Sequence, residues 1–108
     1  MSFLHLNDLK ESHPIPGFHG RFVHSDHITL AFWNIDADTP LPEHAHPHEQ
    51  ILHVLAGKLD FTMNGETQRL GAGSIAIIPS NVKHSGKTLT SCELIDAFYP
   101  AREDFKKL

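Results

Sequence analysis

Turn signals cut the 108-residue chain into short pieces, and this punctuation constrains the fold more than any other feature. They are Pro14-Ile15-Pro16-Gly17, residues 36–42 with two prolines, Asn64-Gly65, Gly71-Ala72-Gly73 and Pro79-Ser80-Asn81. Between them lie runs rich in β-branched and aromatic residues, which suit a pleated, half-buried surface. No apolar 3.6-residue period lasts beyond two turns, so a helical fold is excluded. The spacing predicts an all-β sandwich or barrel. The length suits a single domain over residues 1–108. Surface scaling lets a chain of this size bury about two-thirds of its extended surface. It needs no covalent staple, and Cys92, the only cysteine, provides none; it reads as a small buried hydrophobe.

Strands are expected over 27–35, 50–56, 58–63, 66–70, 74–78 and 89–98, with a strand-like stretch at 20–23. The run 27–35 is apolar on both faces, as in a strand covered on both sides. The run 58–63 alternates, with Leu59, Phe61 and Met63 against Lys58, Asp60 and Thr62. Asn64-Gly65 suits a two-residue type I′ hairpin, because both residues tolerate positive φ. The run 74–78 reads as short and buried, stopped by Pro79. Only residues 101–108 look helical.

Charge narrows the partners. The net charge is −4 with histidine neutral, and there is no basic patch for a phosphate backbone, so nucleic acid is excluded as a partner. No apolar run approaches the ~20 residues of a membrane span. Residues 1–13 lack the basic-then-apolar pattern of a signal segment, so a cytoplasmic protein is expected.

Ten histidines remain to be explained. Residues 40–57 read PLPEHAHPHEQILHVLAG. His44 and His46 are two apart, so in an extended segment both rings point to one side. Two converging imidazoles begin a metal site. Pro47 interrupts the strand. Gln50 opens the next apolar run and can return a carbonyl oxygen to the same side. A further ligand must come from far along the chain, and His84, after the turn at Pro79-Ser80-Asn81, is the candidate. His48 reads as facing solvent or rimming the site. His53 lies opposite Gln50, Leu52 and Val54 and reads as a packing residue. His5, His13, His19, His24 and His27 have no partner spacing and read as surface or rim residues. Ile51 and Leu55, also opposite Gln50, hint at an intersheet or intersubunit contact.

In the run 89–98 one face carries Thr90, Cys92, Leu94, Asp96 and Phe98. A carboxylate on a largely apolar face is costly unless it is paired or used. Asp96 is thus wet at a barrel mouth, bonded to a backbone N–H, or functional. Arg102, four residues beyond Phe98, reads on its own as a surface arginine.

His44-x-His46-x-x-x-Gln50, with Gly57 seven residues later, resembles the first motif of the cupin family. Gly73, Pro79 and His84 resemble the second. Together the two motifs cover most of residues 42–88. Three positions depart from the family pattern. Gln50 stands where a glutamate ligand is usual, Asn81 where a glycine is, and Thr88 where an asparagine is. Asn81 can also take the left-handed conformation. The resemblance implies a cupin barrel, a double-stranded β-helix or jelly roll, with one divalent ion on His44, His46, Gln50 and His84. A neutral set of three imidazoles and one amide leaves that ion its full double charge. It is then a stronger Lewis acid and anion anchor than it would be with a glutamate in place of the amide. The ligands suit Zn, Ni, Fe or Mn and do not choose among them.

The strings HAHPHEQ, IIPSNVKH and LIDAFYPAREDF further resemble the KdgF subgroup of small cupins, which acts in pectin degradation. That resemblance implies a homodimer acting on a small anionic sugar, a 4,5-unsaturated uronate, which it converts to a linear keto-sugar. It also implies an Asp-x-Phe-x-x-x-Arg pattern at Asp96, Phe98 and Arg102. Asp96 would then shuttle a proton, Arg102 would pair with the uronate carboxylate, and Phe98 would pack on the sugar ring. Arg21 is a further candidate anion contact. A cupin dioxygenase, a non-catalytic metal-dependent sugar-binding cupin and a metal-stabilised barrel without chemistry remain the alternatives.

Overall fold

The structure is a computed structural model and describes residues 2–108; Met1, the first residue of the expected domain span, lies outside them. Two antiparallel sheets face each other. One runs in the order β1 (Phe18–His24), β2 (Thr29–Ile35), β9 (Cys92–Tyr99), β4 (Glu49–Ala56), β7 (Ile75–Ile78). The other runs β3 (Pro40–His44), β8 (His84–Thr88), β5 (Leu59–Met63), β6 (Glu66–Leu70). This is the expected all-β jelly roll, and among the described residues no helix is long and apolar enough to cross a membrane.

Alternation decides which side chains enter the space between the sheets. On β4 the inward residues are Gln50, Leu52 and Val54, and on β9 they are Cys92, Leu94, Asp96 and Phe98. Trp33 and Ile35 of β2 and Leu59 and Phe61 of β5 belong to one buried core between the sheets. Asn64 and Gly65 have φ of 50° and 82° and join β5 to β6 as the expected tight hairpin. Gly57, with φ of 91°, turns β4 into β5, and a Cβ there would collide with the Ser91 carbonyl. Asn81 does take the left-handed conformation, with φ of 65°.

Several expectations need correction. The run 89–98 is not one strand. Leu89 and Thr90 both donate backbone N–H bonds to the Lys58 carbonyl, and that turn separates β9 from β8. β8 was not expected, because His-Ser-Gly-Lys-Thr has no apolar alternation; only its end residues, His84 and Thr88, are buried. β3 was hidden by Pro40 and Pro42, which are tolerated because it is a sheet edge. β2 starts at Thr29, after a turn closed by Ser25 N–H on the Ile28 carbonyl. Its outer face is only half covered, with Asn34 exposed. β7 is not buried either: as an edge strand it leaves Ile75 63% and Ile77 67% exposed.

The expected helix over 101–108 is only a 3₁₀ turn at Phe105–Lys107. Eight residues are too few to nucleate a helix in water. Instead Phe105 packs against Phe22, Trp33 and Phe98, with ring centroids 4.9, 6.0 and 5.7 Å away. The tail is thereby held over the barrel as a strap.

Candidate functional site

His44 closes β3 and His84 opens β8, and the two are direct cross-strand partners. Their ring centroids lie 4.1 Å apart. His46, just beyond β3, brings its ring within 4.9 Å of His84. One ring nitrogen from each of the three lies within 4.8 Å of the others. A three-histidine site is therefore present.

The hydrogen bonds fix the tautomers. His44 Nδ1 bonds the Pro42 carbonyl at 2.9 Å, His46 Nδ1 the His48 carbonyl at 3.0 Å, and His84 Nδ1 the Val82 carbonyl at 2.9 Å. A carbonyl only accepts, so each Nδ1 carries the proton and each neutral ring keeps a lone pair on Nε2. This is how outer partners orient imidazole ligands toward a metal. His84 Nε2 is buried and has no partner, an arrangement costly to leave empty.

Gln50 completes the set. Its Nε2 donates to Asp96 Oδ1 at 2.8 Å, which turns its Oε1 toward His46 Nε2 at 3.1 Å. Two lone-pair atoms thus face each other beside two further imidazoles. Three nitrogens and an amide oxygen fit a divalent transition ion, and His44, His46, Gln50 and His84 would hold it. The fold brings the side chains of His44, His46, Gln50 and His84 together.

Burial tunes these groups. His84, 1% exposed, is pushed down to about 4, mainly by burial, with the charges of His44, His46 and Arg102 adding to it. His46 is held below the usual histidine range by burial and then by the Arg102 charge. Both rings are therefore neutral at pH 7, as ligation requires. Asp96 is pushed up to about 6 by burial, against the stabilising hydrogen bonds from Gln50 and Trp33.

A cavity of about 330 Å³ opens beside the histidines. His44, His84, Gln50, Asp96, Phe98 and Arg102 all line it. Asp96 is neither wet nor bonded to a backbone N–H: it is 6% exposed, and Trp33 Nε1 donates to its Oδ2 at 3.0 Å. Arg102 is not a free surface arginine. Its guanidinium lies 4.7 Å from the Phe98 ring centroid and 4.0 Å from that of Phe105. Its Nε and Nη2 bond Asp104 at 2.9 and 2.7 Å, and its Nη1 makes no hydrogen bond to the described residues. That pairing holds the Asp104 carboxyl below its usual range. Thr29 Oγ1 accepts the Arg102 backbone N–H at 2.9 Å and so anchors the strap.

Arg21 lies elsewhere. It sits on the outward face of β1, where its Nη1 donates to the Leu6 carbonyl at 3.1 Å, and it lines a separate cleft. His48 rims the site, its ring 5.5 Å from His46 and 6.5 Å from Phe98. Sequence reasoning missed Trp33, Asp104 and Phe105. The Arg102-x-Asp104 spacing offered a weak signal for the second; nothing local could point Trp33 at a residue 63 positions away.

A family model described as Cupin domain matches residues 31–98. An RmlC-like cupin from Shewanella frigidimarina NCIMB 400 superposes with a TM-score of 0.92 at 26% identity, covering 97% of this chain and 96% of that one. KdgF from Halomonas sp. superposes with a TM-score of 0.90 at 25% identity, covering 97% of this chain and 98% of that one. The dimethylsulfoniopropionate lyase DddQ of Ruegeria pomeroyi is 35% identical over 65 residues, 59% of this chain and 32% of the lyase. The chain spans less than two thirds of the length of the curated relatives it matches. The family match takes in more than half of the chain, and two sheets close around convergent imidazoles: the chain belongs to the cupin family, as a small cupin resembling KdgF.

Proposed function

We propose that the protein is a metal-dependent enzyme that opens the ring of 4,5-unsaturated uronates to give linear keto-sugars. The observation that carries this reading is the convergence of Asp96, Phe98 and Arg102 on the cavity that His44, Gln50 and His84 line. The likeness to KdgF along nearly the whole of both chains supports it.

The reaction is an isomerisation. The proton leaves the C1 hydroxyl, C1=O forms, the C1–O5 bond breaks and O5 takes up a proton. The resulting enol then loses its hydroxyl proton and gains one at C4 as the C5 carbonyl forms. A divalent ion on His44, His46, Gln50 and His84 would supply a Lewis acid for a substrate oxygen that becomes negative as the ring opens. Asp96 holds and moves the proton. Its two oxygens each take one hydrogen bond, from Gln50 and Trp33, and a carboxylate retains further acceptor sites. Arg102 binds the uronate carboxylate through the guanidinium edge that Asp104 leaves open. Phe98, at 3% exposure, packs on the sugar ring and keeps water out.

The same proposal includes a homodimer. Ile51, Leu55, Ile75 and Ile77 are all at least 44% exposed on one outer sheet face, and β4 and β7 place Ile51 directly beside Ile77. An apolar patch of this kind marks an association surface.

The test is an ultraviolet assay for loss of the unsaturated-sugar chromophore, with elemental analysis of the same sample. The wild-type protein should consume unsaturated galacturonate. Asp96→Asn should bring turnover down at least a hundredfold with metal content unchanged. Metal-loaded wild-type protein that leaves the chromophore intact would refute the proposal. Oxygen consumption by that sample would favour a dioxygenase instead.

A further inference from the structure

A second group of imidazoles and carboxylates lies outside the barrel, at the root of the N-terminal arm. We propose that Glu11, His13 and His19 form a separate binding site for a borderline divalent cation of the Zn²⁺ class. One ligand atom from each lies within 4.8 Å of the others.

The backbone holds the three together. Ser12 and Gly20 exchange two hydrogen bonds, each 2.8 Å, in an isolated antiparallel bridge. Glu11 and His13 flank Ser12, so their side chains leave the arm on one side. His19 flanks Gly20 on the facing strand, which puts it across from His13; their rings meet edge to face at 4.8 Å.

The hydrogen bonding of His19 points to a cation. Its Nε2 lies 3.1 Å from Asp36 Oδ1. A carboxylate only accepts, so Nε2 carries the proton. In the neutral ring Nδ1 is then a lone pair, and it faces Glu11 Oε1 at 3.8 Å. Two acceptors confront each other across a gap. A tetrahedral ion bound at usual metal–ligand lengths would draw them to about 3.3 Å. Asp36 would be the carboxylate that orients a metal-bound imidazole from behind, and its own position is fixed by its N–H on the Gly17 carbonyl at 2.9 Å. Among the described residues no lysine or arginine ion-pairs with Glu11. Arg21 directs its Nη1 to the Leu6 carbonyl instead. Two imidazoles and one carboxylate suit zinc-class ions better than magnesium or calcium, and the exposure of Glu11 and His13 leaves coordination positions open to water. Binding would tie the arm to β1 and to the end of β2. This inference does not depend on the proposed catalytic activity.

The competing occupant is a proton, which would make His19 an imidazolium between Glu11 and Asp36. Equilibrium dialysis of the full chain against Zn²⁺, with bound metal counted by elemental analysis, distinguishes the two. His13→Ala and Glu11→Gln should each bind one ion fewer per chain than wild type, or bind it at least tenfold more weakly. His5→Ala, an exposed histidine outside the cluster, should match wild type. Equal stoichiometry and affinity in all four proteins overturns the proposal. Ring ¹⁵N shifts in the wild-type protein decide the matter without relying on any variant. Zinc should move the His19 Nδ1 resonance and leave Nε2 protonated; no response of His19 to zinc means that the cluster holds only a proton.

Discussion

At the scale of single residues, Gln50 and Asp96 work as a unit. The Asp96 carboxylate accepts the amide N–H₂ of Gln50, so the oxygen of that amide faces the histidines. The sequence showed a candidate ligand and a costly aspartate; it could not show that one orients the other, because they sit on different strands 46 residues apart. Arg102 was equally opaque, since its setting depends on Phe105 and Asp104 folding back over the barrel. The burial of these groups has a consequence for the metal-free protein. His84 is lowered from 6.5 to about 4. Its contribution to stability is therefore complete above pH 6.5 and is lost as pH falls through 4. Asp96 is raised from 3.8 to about 6. Its contribution is complete below pH 3.8 and is lost as pH rises through 6. Between pH 6.5 and 4 the two slopes oppose each other, each amounting to about 3 kcal/mol at most. Asp96→Asn removes one of them. Urea unfolding of metal-free protein should show stability falling more steeply with acid in Asp96→Asn than in wild type. Parallel pH profiles would mean that Asp96 is not strained by burial.

At the scale of elements, legibility followed the apolar pattern. β4 and β5 were readable because alternate residues are buried and because Gly57 and Asn64 end them; β6 was readable from the Asn64-Gly65 turn before it, since its own residues are mostly exposed, and β9 from its alternation up to Pro100. β3 and β8 were not, although they carry His44 and His84. Apart from Leu41, their residues are proline, glycine and polar side chains, so no apolar alternation marks them. The tail misled for the opposite reason: residues 101–108 have the composition of a helix, yet Phe105 finds more apolar surface by packing on Phe22 and Phe98. β1 makes a testable contribution to the site. Gly20 leaves the space that the Trp33 ring fills, and a Cβ there would come within 2.5 Å of that ring. Gly20→Ala should cost about 1–3 kcal/mol through overpacking and should move Trp33 off Asp96. Chemical denaturation together with tryptophan fluorescence measures both; a variant with unchanged midpoint and unchanged spectrum contradicts the assignment.

At the scale of the whole molecule, the two faces of the larger sheet divide the work. The inner face builds the core and contributes Gln50, Asp96 and Phe98 to the cavity. The outer face presents isoleucines. Ile77→Glu changes only that outer face, since Ile77 is 67% exposed. Sedimentation should find wild type as a dimer and Ile77→Glu as a folded monomer; a monomeric wild-type protein contradicts the dimer reading. The motif spacing foretold that strands remote in sequence would close around a shared point, and the jelly-roll topology supplies the physical means: β3 and β8 are neighbours in one sheet, and β4 belongs to the other. Three Nε2 lone pairs and the Gln50 oxygen would enclose one cation. Anomalous diffraction from crystals of metal-loaded protein addresses this most directly. A peak is expected about 2.0–2.3 Å from Nε2 of His44, His46 and His84, with Gln50 Oε1 in the same shell. A map with no peak between those imidazoles would contradict that arrangement.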